Sequence, residues 1–243
     1  PVTEWKILDP ACGSGHFLLG AFDLLLKMWL EERPDLPPWK IPALILERNL
    51  YGVDIDLRAC QIAATALYLK ARTAFEKLKE NDSNARFEVS RINIACADIR
   101  FVDGNRREEF LKQFSYSPAL KRVIGEIISE CEKGRELGSL LRIREPIRAV
   151  LNKIPILSEE EIIRRIGDYI VQAMEKDDLR SLLFGFDAEQ AVRLVEVLAD
   201  NNYEVVLMNP PYGSMPKACK DYVRKHYPRT HSDYYAVFIE RAI

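Results

Sequence analysis

The chain has only five cysteines in 243 residues, and no two of them form a CxxC pair. An odd total without pairing motifs gives neither a disulfide framework nor a structural zinc knuckle, and it fits a reducing compartment. Histidine is also sparse. Of the three, His226 and His231 stand five apart without the cysteines that would accompany them in a zinc site; they read as surface residues, and no metal is expected. Charge of one sign is not in excess: 35 Lys+Arg against 37 Asp+Glu give a formal net charge of -2. No global basic field therefore points to nucleic acid, and a surface for it must be local or lie outside this chain. Long uncharged apolar runs are missing too. "FLLGAFDLLLKMWL" is interrupted by Asp23 and Lys27 and is too short to cross a bilayer. With no signal-peptide pattern, the expectation is a cytoplasmic protein with no membrane partner.

What is present is ordinary globular material, 48% hydrophobic and 30% charged, with ample residues for a core. The length suits one large domain or a domain carrying an insert. The chain opens almost directly on a strand and closes on "YYAVFIERAI", where helical spacing continues without a cap. This predicts a piece of something larger.

The pattern alternates. "WKILDPACGSGHFLLGAFDLLLKMWLEE" reads as a strand at Ile7 and Leu8, a glycine turn, then a helix with Phe17, Leu18, Ala21, Leu24, Leu25 and Met28 at helical spacing. A proline-rich connection, "RPDLPPWKIP", follows. "NLYGVDID" is a second strand and "LRACQIAATALYLKARTAFEKL" a second helix. "RFEVSRINIACADIRF" predicts a third strand, ending at Asp98. Strands alternating with helices of this length imply a parallel sheet with crossover connections. Residues 105–195 break the rhythm with charged amphipathic helices, 16 Lys+Arg balanced by 16 Asp+Glu, which reads as solvated helical faces inserted into the sheet domain. "NYEVVLMNPPYG" resumes the strand pattern and "SDYYAVFIERAI" begins another helix.

Three strand ends carry acids. At "LDPACGSG", Gly13 and Gly15 let the backbone approach a ligand. The string is not a dinucleotide fingerprint, because position 18 is Leu, and it is not a P-loop, because no GK[ST] follows. Asp9 disfavours a pyrophosphate and suits a cationic head such as an amino-acid ammonium. In "YGVDID", Asp54 and Asp56 are expected on one face of the strand end: Asp54 to accept from ribose hydroxyls, Asp56 to cap the next helix. In "CADIRF", Asp98 can accept from an exocyclic amine of adenine, although an aspartate ending a strand is often only a turn former. Together the acids outline a site for an adenosine carrying an amino acid, S-adenosylmethionine. "NPPY" completes the set. Pro210 and Pro211 fix the backbone, so the Asn209 amide oxygen and the Pro210 carbonyl can grip both hydrogens of one NH2 group. Tyr212 offers a face on which a base can stack.

At these residues the sequence resembles the amino-group DNA methyltransferases, in their N6-adenine branch. "DPACGSGHFL" looks like their motif I and "NPPY" like their motif IV, in the gamma-type order. The wording is similar to that of type IIG restriction-modification and BREX phage-exclusion methyltransferases. The resemblance implies a Rossmann-like class I methyltransferase fold, α/β with a mostly parallel sheet and a helical insertion. It implies a cofactor-binding half over 1–104, the insertion over 105–195 and a catalytic half over 196–243. It further implies that Ala11, Cys12, Gly13 and Gly15 hold the methionine moiety near Asp9, that Asp54 and Ile55 sit at the ribose, and that Asp98 and Ile99 contact the adenine ring. Phe238 would pack near that adenine or serve as ordinary core. Asn209, Pro210, Pro211 and Tyr212 would receive an adenine flipped out of double-stranded DNA. Two other readings stay open: a methyltransferase acting on an RNA base or a protein glutamine amide, and a catalytically silent cofactor-binding scaffold.

Overall fold

A computed structural model of the chain describes residues 1–80, 82–99, 104–116, 118–142, 175–176, 179–199 and 202–242. Its sheet is built from β1 (Ile7–Asp9), β2 (Leu50–Asp54), β3 (Asn93–Cys96) and β4 (Val205–Val206). The order is β3-β2-β1-β4 and every pairing is parallel. The chain walks outward from β1 through β2 to β3, then returns to the other side of β1. β1 is thus the point where strand order reverses, the place at which open α/β sheets bind ligands. The fold is Rossmann-like.

The chain separates into two compact units, residues 1–96 with 200–243 and residues 97–199. In the first, α1 (His16–Glu32), α2 (Ile41–Arg48) and α3 (Leu57–Leu78) share one apolar core with the strands. The buried face of α1 is Leu18, Phe22, Leu25 and Trp29, a four- and three-residue repeat that suits one helical stripe. Phe17 and Leu24, expected on that stripe, are 47% and 63% exposed. α3 covers the residues expected of it, and α2 is an addition. Its sequence follows a proline-rich stretch, but Pro42 lies in the first turn, where a missing N–H costs the helix nothing. β3 is shorter than "RFEVSRINIACADIRF" suggests: residues 86–92 run outside the sheet and pairing stops at Cys96, two residues before Asp98. The last helices of this unit are α8 (Lys220–His226) and α9 (Tyr234–Ala242).

The second unit is helical over its described residues: α4 (Gly104–Lys112), α5 (Pro118–Cys131), α6 (Gly134–Leu137) and α7 (Leu179–Ala199). Its interior holds Phe110, Phe114, Ile128, Cys131 and Leu194, with the rings of Phe110 and Phe114 meeting edge to face at 5.4 Å.

One polar group organises the base of the first unit. Asn49 is fully buried just before β2. Its amide donates to the Val2 and Trp5 carbonyls at 2.8 and 2.6 Å and accepts from the Trp29 indole at 2.9 Å. Thus it joins the amino-terminal turn and α1 at the entry to β2. Asn49→Ala leaves a buried indole N–H and two carbonyls without these partners. The expected cost is about 3 kcal/mol, read as a lower urea midpoint with an unchanged slope.

Candidate functional site

The loops after β1 and β2 are held together by backbone and carboxylate contacts. The Cys12 N–H donates to the Val53 carbonyl at 2.9 Å. The Gly13 N–H donates to Asp54 Oδ2 at 2.8 Å, and Asp54 Oδ1 accepts from the Asp56 N–H at 2.9 Å. Asp54 therefore braces the glycine turn from the neighbouring strand, a role the sequence reading did not assign to it. Asp56 lies just past the strand and caps α3 as expected, accepting from the Arg58 N–H at 2.9 Å. The turn itself requires glycine. Gly13 and Gly15 have φ of +51° and +84°, a region L-residues rarely enter. A Cβ on Gly15 would also lie 3.1 Å from Ala63 Cβ on α3. At Gly15 the turn packs closely enough on α3 that an added side chain would crowd Ala63.

Asp9 ends β1 and is buried, with its Oδ1 accepting the Ala11 N–H at 3.1 Å. Burial pushes its carboxyl up from 3.8 to about 6; the Ala11 hydrogen bond opposes this and the Asp54 charge adds to it. Beneath the loops lie the buried thiols of Cys12, Cys60 and Cys96. The Cys60 thiol is pushed up to about 12, first by its contact with Cys12 and further by burial and by Asp54, while Cys96 opposes. It is a protonated packing group rather than a nucleophile. Ile55 is an apolar residue standing 52% exposed beside Asp54.

β4 delivers the second loop. The Leu207 N–H donates to the Leu8 carbonyl at 2.9 Å, so the chain follows β1 to the same edge before the prolines end the ladder. Asn209 is exposed and Pro210 buried. The Tyr212 hydroxyl donates to Asn209 Oδ1 at 3.0 Å. The Tyr212 ring stacks on Tyr235 of α9, centroids 5.6 Å apart and planes 18° from parallel, yet the residue remains 74% exposed. Tyr235 holds one face of Tyr212 and leaves the rest open. The aromatic doublet Tyr234–Tyr235 at the start of α9 is the one hint of this partner in the sequence.

The first unit thus brings together Asp9, Ala11, Cys12, Gly13, Gly15, Asp54 and Ile55 at the ends of β1 and β2, and Asn209, Pro210, Pro211 and Tyr212 after β4. Phe238 lies in its core, 4% exposed and edge-on to Tyr234 at 5.5 Å. Asp98 and Ile99 fall in the second unit. There Asp98 Oδ1 lies 3.8 Å from the Arg135 guanidinium, and Ile99 is buried.

Comparison with known proteins adds independent findings. The model of the Eco57I restriction-modification methylase family matches residues 48–243. The adenine-specific methyltransferase PglX of Lacticaseibacillus casei is 32% identical over 99% of this chain and 18% of its own length. The adenine-specific methyltransferase BrxX of Escherichia coli O9:H4 is 25% identical over 98% of this chain and 20% of its own. A putative type II restriction enzyme and methyltransferase of Methanocaldococcus jannaschii is 28% identical over 58% of this chain and 12% of its own. The chain spans about a fifth of the length of the PglX and BrxX relatives.

The buried carboxyl makes a testable demand. Asp9 holds its proton more tightly in the fold, about 6 against 3.8. The stability this gives is complete below about pH 4 and is lost as pH rises through about 6. The decline is on the order of 3 kcal/mol. Asp9→Asn is expected to flatten it, making the variant the more stable form at pH 8; thermal unfolding between pH 4 and pH 8 measures the difference.

Proposed function

Because the chain belongs to the Eco57I restriction-modification methylase family, we propose that it is the catalytic core of an S-adenosylmethionine-dependent DNA methyltransferase acting on adenine N6. The observation that carries the reading is the pairing of β1 with β4, which turns the glycine loop and the NPPY loop out at one sheet edge. The adenine-specific names of the relatives support the choice of base. The family and the likeness to PglX and BrxX support a place in restriction-modification or phage defence. In the cell we expect the protein in the cytoplasm, on double-stranded DNA.

The residues present fit the cofactor. A buried carboxyl at Asp9, poised to ionise near neutrality, is a partner for an ammonium group. Each oxygen of Asp54 holds one backbone N–H and keeps a second lone pair, so it can still accept from a ribose hydroxyl. Ile55, exposed beside it, offers apolar cover to a purine. Without a Cβ at Gly13, backbone can approach the ligand closely. Phe238 remains a candidate for the adenine ring. The cofactor supplies an electrophilic methyl on a cationic sulfur.

The chain's own residues then have three tasks. Tyr212, backed by Tyr235, gives the flipped base an open face to stack on. Asn209 Oδ1 and the Pro210 carbonyl accept the two amine hydrogens, drawing the nitrogen lone pair out of conjugation with the ring and toward the methyl. Asn209 Oδ1 already takes the Tyr212 hydroxyl, but an amide oxygen has two lone pairs and can hold both. With the cofactor bound, the N–C bond would form as the methyl–sulfur bond breaks and its electron pair stays on sulfur, and these two oxygens would stabilise the positive charge growing on the amine. Neither oxygen is a base, so the surplus proton leaves to water at the exposed edge.

The full-length protein is expected to move tritiated methyl into adenine of duplex DNA. Asn209→Ala should lower transfer by about 100-fold or more while cofactor affinity, read by calorimetry, stays near the native value. Label in RNA or protein instead of DNA overturns the substrate. Equal loss of cofactor binding overturns the division of roles between the two loops.

A further inference from the structure

The near-neutral chain carries a local concentration of positive charge close to the NPPY loop. Between residues 217 and 229, Lys217, Lys220, Arg224, Lys225 and Arg229 stand against a single acid, Asp221. Residues 1–96 by contrast hold 12 Lys+Arg and 13 Asp+Glu. All five cations are exposed. None forms an ion pair with a described residue, whereas Arg33, Arg58, Lys70, Arg72 and Lys79 of the same unit all do. Unpaired cations packed into so short a segment repel one another, and an anionic partner relieves that.

The helix arranges them. α8 buries Val223, and the buried Cys219 and Tyr227 flank it on either side, pinning the segment to the core. At 3.6 residues per turn, Lys220, Arg224 and Lys225 then fall within an arc of about 140° on the opposite side. Asp221 lies inside that arc and leaves its net charge positive. Lys217 begins the turn leading into α8, only five residues after Tyr212. The charged face therefore follows closely in sequence on the exposed Asn209 and the open Tyr212 ring.

We propose that the outward face of α8, with Lys217 and Arg229 at its ends, is a docking surface for the phosphates of double-stranded DNA. It would hold the duplex while one base reaches Tyr212. The proposal rests on the methyltransferase reading and names the surface that reading requires on a chain of net charge -2. Contacts of this kind position the duplex without reading its sequence. Each phosphate neutralised releases counterions, so binding through this face weakens steeply with salt.

The test is fluorescence anisotropy of the full-length protein on a labelled random-sequence duplex between about 50 and 200 mM salt. Lys220→Ala, Arg224→Ala and Lys225→Ala combined are expected to reduce the slope of log affinity against log salt by about 2 to 3, at about 0.9 per phosphate. Affinity should fall by a similar factor on every duplex, with cofactor binding unchanged. The charge-keeping set Lys220→Arg, Arg224→Lys and Lys225→Arg should retain the native slope, which a purely structural role for these side chains does not require. A native slope in the neutralised variant overturns the proposal. So does a loss confined to RNA or to anionic vesicles. The two readings fail separately: duplex binding through α8 without methyl transfer sinks the enzyme, and methyl transfer with an unaltered slope in the neutralised variant sinks the docking surface.

Discussion

β1 is hydrogen-bonded along both edges, to β2 on one side and β4 on the other. This double pairing is the constraint on which the site depends. All strands run the same way, so each loop that follows a strand emerges at the same edge of the sheet. The glycine turn after β1 and the NPPY loop after β4 are more than 190 positions apart in sequence, and the ladder between Leu8 and Val206 makes them structural neighbours. Asp54 adds a second link, reaching from the end of β2 to the Gly13 N–H. The candidate cofactor loops are thus fixed to each other before any ligand arrives, a preorganisation that lowers the entropy cost of binding.

The arrangement costs stability at neutral pH. A carboxyl buried at the end of β1 would be easier to hold as an amide, and burial raises its pKa accordingly. Strained or poorly solvated groups of this kind persist where function requires them. The cost is offset by the apolar interior of α1, α2 and α3 and by the fully satisfied Asn49 below the strands. The apolar base sets the geometry of the loops, and the buried Asp9 at the end of β1 stays sensitive to a cation nearby.

Much of this was legible from local patterns, because local physics decides it. The glycine turn, the limits of α3 with its Asp56 cap, and the end of the strand at NPPY all follow from spacing, capping and the missing N–H of proline. Tertiary context decided the rest. Leu24 has helical spacing but faces outward, since a period does not say which side meets the core. The alternation in "RFEVSRI" suggested strand, yet among the described residues no strand pairs with it. Asp54 was read for a ligand and also turned out to serve the neighbouring loop, a contact 41 residues away. The Tyr212–Tyr235 stack depends on how a loop and a helix meet, which no short window of sequence contains.

The proposed cofactor site lies between the glycine turn and Asn209. A crystal structure of the protein with S-adenosylhomocysteine measures this most directly. The predicted result has the amino-acid end of the ligand against the Asp9–Gly15 turn, its ribose at Asp54, and its sulfur on the side that faces the Asn209 amide. A nucleoside bound elsewhere, or an Asn209 amide turned away from the sulfur, would contradict it.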